Sequence, residues 1–396
     1  MSTRRFRVAL VGCGQIADAH LQQLRRIPCA ETVAVCDLEP LLARQAAERF
    51  DVPAQFTDLS TMLRDAAPDV LHITTPVHTH APIACTALRA GVHVYVEKPF
   101  AVDLAEARRI VETAQDSDRL VCLGHDQLFD PAWQECVRLI ESGVIGDIQH
   151  VESHLGYPLQ GPFGRQVMAD SNHWVRRLPG GLFQNTISHP LYRITEFLPD
   201  ASPAVHAHWF ARQPEQEFPT ELRLNLRGRT VTGTLTFTSN SRPCRRVTRI
   251  LGTEGCIEVD LDTQLCRVDR GERFPGAFAK LEAPLRDLGN SIRNLCRSAR
   301  RFARGDFHYF DGMRDLFQRF YNAIENSEES PVSYDEALRV TALMDAVFAE
   351  CRINDFRASL TASVDEGQVV LNLIRETGEL VAGACRRSQK PVGRPT

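Results

Sequence analysis

No stretch of this sequence comes near the roughly 20 consecutive apolar residues that a bilayer-spanning helix needs. Charge of one sign is missing as well: 46 Lys and Arg stand against 50 Asp and Glu, a formal net charge of −4 over 396 residues. The basic excess that nucleic-acid binding ordinarily requires is therefore absent. Cysteine is not scarce, at 12, but C-x-x-C spacing and clustered ligands are. That excludes an obvious disulfide framework or metal site, so no metal is expected. Cys36, Cys85 and Cys122 lie in apolar stretches, where a free thiol behaves as a small hydrophobe. The opening "MSTRRF" has basic residues with no apolar core behind them, which predicts no secretory signal and a cytoplasmic location. No internal repeat is visible.

What is there is an ordinary globular composition, 43% hydrophobic and 24% charged, with length for two domains. The first 125 residues alternate β-rich runs ("RVALVG", "TVAVCD", "DVLHITTP", "VHVYVEKP", "RLVCLGHD") with helical patterns ("QIADAHLQQLRRI", "EPLLARQAAERF", "APIACTALRAG", "DLAEARRIVETAQD"). Near-continuous apolar strands separated by helices predict a parallel sheet covered on both faces, an α/β Rossmann domain. Gly91 is placed as a helix C-cap and Asp103 as an N-cap. Beyond residue 125 the period changes. Leu222, Leu224 and Leu226 alternate with Arg223, Asn225 and Arg227, and Leu235 and Phe237 with threonines. That predicts antiparallel strands with one buried face. The expected organisation is a Rossmann domain over 1–125, a C-terminal α+β domain on an open antiparallel sheet over 126–355, and an extension over 356–396 with a loose end.

Gly12-x-Gly14-x-x-Ala17 lies between the first strand and the first helix. The first glycine suits a tight turn, the second lets a pyrophosphate approach the backbone, and a small third residue lets helix and strand pack closely. The N–H groups of Gly12, Gly14, Gln15 and Ile16 then surround the helix's positive end. Asp37 closes the second strand, where a carboxylate accepts hydrogen bonds from an adenosine ribose and repels a 2′-phosphate. NAD is therefore expected in preference to NADP, although Arg44 stands near enough in sequence to matter. Glu97, Lys98 and Pro99 end a buried strand, where ligands bind in open parallel sheets. A lysine there can stabilise a forming alkoxide; it can equally just pair with Glu97.

"VALVGCGQIADAH", "TTPVHTHAPIACTALRAGVHVYVEKPFA" and "GHDQLFDPAWQECVRLIESGVIGDIQHVES" together resemble the glucose–fructose oxidoreductase/inositol dehydrogenase (Gfo/Idh/MocA) family. The resemblance implies hydride transfer with NAD(P), mostly on sugars or polyols. It implies that Lys98 stands at the hydride site and that Thr75, Pro76, His80 and Glu97 belong to the cofactor pocket. In "PGGLFQNTISHPLYRITEF", Gly180, Gly181 and His189 match the family's second-domain motif, making His189 the expected proton acceptor. Asn185 replaces the usual aspartate, Ile187 the usual glycine, and Leu128 the arginine of the preceding segment. A neutral Asn185 can orient His189 or bind a substrate hydroxyl but cannot stabilise an imidazolium. Tyr157, Trp174 and Arg176 are expected at the substrate, with His173, Arg177 and Gln184 as further candidates, because aromatic faces and forked donors suit polyhydroxy ligands; a buried Trp174 with solvated arginines is the alternative.

The expected activity is NAD-dependent oxidoreduction at a secondary hydroxyl of a sugar, glycoside or nucleotide sugar, with Lys98, His189 and Asn185 as catalytic residues. Asn185 also motivates a redox-neutral alternative, in which transient oxidation permits elimination or glycoside cleavage. A dinucleotide- or sugar-binding regulator is a third possibility, opposed by the presence of Lys98 and His189. An exposed sheet face predicts a homodimer or homotetramer. Finally, Leu285, Leu288, Ile292, Leu295 and Phe302 form a helical stripe among six arginines between 286 and 304. This reads as an amphipathic surface helix, or as a surface for a nucleotide-sugar diphosphate or an acidic partner.

Overall fold

The computed structural model describes residues 5–212, 218–271, 276–303 and 311–365. Six strands form the first sheet: β1 (Phe6–Val11), β2 (Ala30–Cys36), β3 (Ala54–Phe56), β4 (Val70–Ile73), β5 (His93–Val96) and β6 (Val121–Leu123). They lie in the order β3-β2-β1-β4-β5-β6, all parallel. The order reverses between β1 and β4, and a doubly wound sheet opens its ligand crevice at such a point. The connecting helices are α1 (Ala17–Leu24), α2 (Pro40–Phe50), α3 (Leu59–Ala66), α4 (His80–Arg89) and α5 (Leu104–Asp116). Their ends follow local chemistry. Asp58 and Asp103 cap α3 and α5 by accepting the Thr61 and Glu106 N–H groups at 2.7 and 2.8 Å. Gly91, at φ +82°, ends α4 as its sequence position predicts. The short β3 and α3 have no counterpart in the sequence reading. Three and eight residues are too few for a clear period.

After α6 (Pro131–Glu141) comes the second sheet: β7 (Ile148–Gly156), β8 (Ala204–Phe210), β9 (Glu221–Arg227), β10 (Thr232–Thr238), β11 (Arg246–Gly252), β12 (Cys256–Asp260) and β13 (Leu265–Asp269). Its order is β13-β12-β11-β7-β10-β9-β8. Every neighbour is antiparallel except β7 with β10, which run parallel across a long excursion. That excursion holds α7 (Pro162–Ala169), α8 (Gly181–Thr186) and α9 (Ser188–Thr195). The alternation seen in sequence is realised: Leu222, Leu224, Leu226, Leu235 and Phe237 are buried, and Phe183 of α8 meets Phe237 edge-to-face at 5.1 Å.

The chain closes with α10 (Ala277–Ala303), α11 (Asp311–Asn326) and α12 (Tyr334–Asp365). Although α11 lies far beyond residue 125, its Leu316, Phe317, Phe320 and Tyr321 are part of the core under the first sheet, with Phe6 and Tyr95. In α10 the apolar stripe does not face the core. Leu285, Leu288, Ile292, Leu295 and Phe302 are all exposed, and the helix meets the protein with its polar side. Residues 349–396 constitute a second unit, described as far as Asp365 as the end of α12. The remainder of the expected extension lies outside the described residues, and so does Arg304 of the arginine-rich stretch. Among the described residues, no helix is long and apolar enough to cross a membrane.

Candidate active site

The turn from β1 into α1 is shaped by two glycines with different constraints. Gly12 sits at φ +94°, and a Cβ there would lie 2.7 Å from both Cγ2 and the backbone N of Thr75. At Gly14 a Cβ would meet nothing within 4 Å. Its position opens onto a cavity. The turn is held from both sides: the Thr74 hydroxyl donates to the Val11 and Gly12 carbonyls at 2.9 and 2.6 Å. Asp37 Oδ2 accepts the Cys13 N–H at 2.7 Å, and its Oδ1 accepts that of Glu39 at 2.8 Å. The N–H groups of Gly14, Gln15 and Ile16 have no acceptor among the described residues. Three orphan donors around an open Cβ position fit an anion such as a pyrophosphate.

From this turn a cavity of about 390 Å³ extends along Ile16, Thr75, Pro76 and His80 to Glu97 and Lys98. Phe163, Gln166, His173, Trp174 and Asn185 close its other side. An adjoining cavity of about 480 Å³ includes Gln127, Tyr157, His189, Arg246 and Asp262. Lys98, Asn185, Gln15 and Phe163 line both.

Lys98 Nζ donates to the Asn185 carbonyl at 3.4 Å and has no carboxylate within ion-pair distance among the described residues. The notion that it merely pairs with Glu97 is not what the structure shows. Glu97 turns inward: its Oε2 accepts the Lys98 N–H at 3.2 Å and its Oε1 meets His20 Nε2 at 2.8 Å. His20 Nδ1 lies 3.1 Å from His72 Nδ1, and His72 Nε2 lies 2.9 Å from the Tyr321 hydroxyl. Burial pushes the Glu97 pKa up, but the His20 hydrogen bond and the charges around it hold it below the ordinary value. Burial, then His20, drives His72 well down, and burial drives Tyr321 well up. With His72 neutral and Glu97 ionised, one order of donors satisfies every contact. Tyr321 donates to His72, His72 to His20, and His20 to Glu97. The carboxylate is thereby locked behind the lysine.

On α9, His189 Nδ1 lies 2.7 Å from the Tyr192 hydroxyl. Burial, then the charges of Lys98, Arg193 and Arg246, keeps His189 well below the ordinary imidazole pKa. It is a neutral ring at pH 7. It is a base toward the cavity when its proton is on Nδ1, donated to Tyr192. Arg193, fully buried, donates to Gln127 Oε1 at 2.5 Å and to Ser153 Oγ at 3.1 Å, which fixes Gln127 in the cavity wall. Behind Lys98, Asp126 is pushed up to about 7, by burial and then by the Glu97 and Asp130 charges.

Most residues singled out in the sequence converge here. Gly14, Gln15, Ile16, Thr75, Pro76, His80, Glu97, Lys98, Trp174, Asn185, Tyr157 and His189 all line one cavity or the other. His80 does so as a clamp, its nitrogens lying 3.0 and 2.8 Å from the Pro99 and Thr75 carbonyl oxygens. Arg176 is not brought to them. Its guanidinium donates to the Val167 and Met168 carbonyls at 2.9 and 3.2 Å, against the Phe218 ring, and it lines a separate cavity. Gln184 is buried and bonded to Gly180 N and Val102 O. Gln127, Phe163, Gln166, Arg246 and Asp262 line the cavities without any motif to mark them. Only Gln127 lies in a segment that the resemblance had flagged, next to Leu128.

Two family models match the chain: "Oxidoreductase family, NAD-binding Rossmann fold" over residues 6–125, and "GFO/IDH/MocA C-terminal domain" over residues 133–258. The chain belongs to the Gfo/Idh/MocA family. Among its relatives, the inositol 2-dehydrogenase of Salmonella typhimurium is 32% identical over 144 residues, 36% of this chain and 43% of that protein. The D-apiose dehydrogenase of Paraburkholderia graminis is 32% identical over 145 residues, 37% and 39% of the two chains. Glycosyl hydrolase family 109 protein 2 of Akkermansia muciniphila is 27% identical over 300 residues, 64% and 60%. The chain thus spans about two fifths of the length of the first two. The WlbA dehydrogenase of Bordetella pertussis, solved with NADH and UDP-GlcNAcA, shares the fold. Its TM-score is 0.72 at 22% identity, covering 89% of this chain and 97% of that one.

Proposed function

We propose that this protein transfers hydride between NAD and a secondary hydroxyl or ketone of a sugar, glycoside or nucleotide sugar. The observation that carries the reading is that Lys98, without a carboxylate partner among the described residues, lines both cavities at once. One of them adjoins the orphan N–H groups of the glycine turn and the other holds His189. Gly14, Gln15 and Ile16 would hold the pyrophosphate, Asp37 the adenosine ribose, and Thr75 and Pro76 the nicotinamide side. Bound there, the nicotinamide supplies the hydride acceptor or donor. The Asp37 carboxylate, at the end of β2, would repel a 2′-phosphate, which supports NAD over NADP.

In the oxidative direction Lys98 donates a hydrogen bond to the reacting oxygen and stabilises its developing charge. His189, neutral through burial and neighbouring cations, accepts the hydroxyl proton on Nε2 while Nδ1–H donates to Tyr192. Asn185 orients the substrate between them, and Tyr157 and Trp174 offer aromatic faces to it. Relatives named as inositol 2-dehydrogenase and D-apiose dehydrogenase support a polyhydroxy substrate. We assign cofactor binding to residues 1–125 and substrate shaping and self-association to 126–355, the chain acting as a homo-oligomer. A cytoplasmic location accords with cysteines that are free wherever described.

The test is nicotinamide absorbance across a panel of sugars, polyols and nucleotide sugars, with Lys98→Ala beside the native chain. The variant should bind NAD normally and turn over at least about 100-fold more slowly. Near-normal turnover would refute the assignment. A redox-neutral cleavage through a transient keto-sugar is a second reading, favoured by Asn185 and by the long match to the family 109 relative. Products formed without accumulated NADH would select it.

A further inference from the structure

The helix α10 is docked inside out. Its polar side holds the protein. Arg286 pairs with Asp269 at 3.0 Å, Arg297 with Glu135 at 2.8 Å and Arg301 with Asp311 at 2.5 Å, while Asn290 donates to the Val268 carbonyl. Its outward side is apolar. Phe278, Leu281, Leu285, Leu288, Ile292 and Leu295 are each between 53% and 70% exposed, and Phe302 is 79% exposed. An amphipathic helix normally does the reverse, and Arg286, Arg297 and Arg301, three of the arginines offered for a diphosphate, are engaged within the fold.

The spacing of that outward stripe is regular. It runs 278, 281, 285, 288, 292, 295, and continues through Ala299 and Phe302. Alternating steps of three and four give a period of 3.5 residues over four heptads, the pattern of a helix seam that meets another helix. Core-facing surface helices need a wider apolar face and have no reason to keep this register. The positions flanking the seam are mostly small: Gly289, Ser291, Cys296, Ser298 and Ala303. Small flanks let a second helix backbone come close. At the first half of the seam, Phe278, Leu281 and Leu285 form one wall of a groove of about 730 Å³ whose other wall includes Leu139, Val144 and Val268, and side chains of the second helix would enter it there.

We propose that the seam pairs with the same seam of a second copy of this chain, the two α10 helices running antiparallel about a two-fold axis. A self-complementary apolar stripe is what an isologous contact uses. A standard interface buries about 800 Å² per partner, an area that seven large side chains, each more than half exposed, approach. Arg293, Arg297, Arg300 and Arg301 lie off the seam, on the side of α10 away from it, so charge does not oppose the pairing. An antiparallel order sets the two helix dipoles against each other favourably. The contact rests on the homo-oligomer proposed above and assigns it a surface.

Sedimentation velocity of the full-length native chain at micromolar concentration tests it, beside the double variant Leu288→Glu/Ile292→Glu. The native particle should have an even multiple of the 44.4 kDa chain mass, and the variant half of that, with unchanged circular dichroism and NAD binding. Should the double variant not fold, the native chain supplies the second measurement: alkylation of the exposed Cys296 should slow at least tenfold between nanomolar and micromolar protein. A native monomer would overturn both the homo-oligomer and this contact, and flotation of that monomer with anionic vesicles would reassign the stripe to a lipid surface. An oligomer whose mass and Cys296 reactivity ignore the substitutions and the dilution would leave self-association standing and sink the α10 contact. An amine cross-link from Lys280 to Lys280 would overturn the antiparallel order.

Discussion

Gly12 and Gly14 are two residues apart and separable by experiment. At Gly12 the φ of +94° and the backbone of Thr74 and Thr75, 2.7 to 2.8 Å from any Cβ, leave no room for adjustment. Gly12→Ala should destabilise the fold by on the order of 1–3 kcal/mol in urea unfolding. Gly14→Ala should unfold like the native chain, because nothing within 4 Å meets its Cβ, yet bind NAD at least tenfold more weakly by calorimetry. Equal stability losses at the two positions would contradict this division of roles. Gly12, Gly14, Asp37 and Lys98 were legible in sequence because each lies at the end of a strand, where a short motif reports its own surroundings. Arg246 and Asp262 were not. They reach the cavity from the start of β11 and the turn after β12, bonded to each other at 2.7 Å, and nothing local marks either. Arg176 shows the converse. Its neighbourhood in sequence was right, but a local bond to the end of α7 turns it away.

Among the elements, α11 is the one whose role was least visible. Its periodicity marks a helix, but only the fold places Phe317 and Tyr321 against His72 and Tyr95. There it ends a buried hydrogen-bond chain that begins at Glu97. Tyr321→Phe removes the donor to His72 and leaves a ring nitrogen unsatisfied in the core, a loss of about 1–3 kcal/mol. Urea denaturation should show that loss; an unchanged midpoint would mean that the chain of protons contributes nothing to stability. The stripe on α10 was equally plain as a pattern, and its sidedness was not. Which face of an amphipathic helix turns inward depends on what receives it, and here Glu135, Asp269 and Asp311 receive the arginines.

Over the whole molecule, burial leaves several carboxyls reluctant to ionise. Asp126 and Glu196 are pushed up to about 7 and Asp130 to about 6, in each case chiefly by burial. A carboxyl whose pKa is raised on folding binds its proton more tightly in the native state. Its favourable contribution is present below the unfolded value near 4 and is lost as pH rises toward 6–7. Glu97 and Glu221 are shifted the other way, so their contribution is present above the unfolded value near 4 and is lost as pH falls below it. Between pH 5 and 7 the raised carboxyls lose stability as pH rises, while His72, His125 and His189, kept neutral by burial, gain it as pH rises through the unfolded imidazole value, so a single carboxyl is read by substitution. Asp126→Asn should be more stable than the native chain by on the order of 2 kcal/mol at pH 8, with the difference closing near pH 4. Thermal unfolding across that range checks it. Parallel curves would show that Asp126 ionises freely in the folded protein.

The sequence by itself determined what depends on near neighbours: the parallel and alternating strand patterns, the caps at Asp103 and Gly91, and the glycine turn with its acid. Strand burial, capping and turn geometry are set within a few residues, so their signals are local. Tertiary structure alone decided which side chains share a cavity, that Glu97 faces His20 rather than Lys98, that α11 completes the first core, and that α10 faces outward. Each of these is a meeting between segments distant in the chain, where partners are chosen by packing and charge that no single stretch encodes.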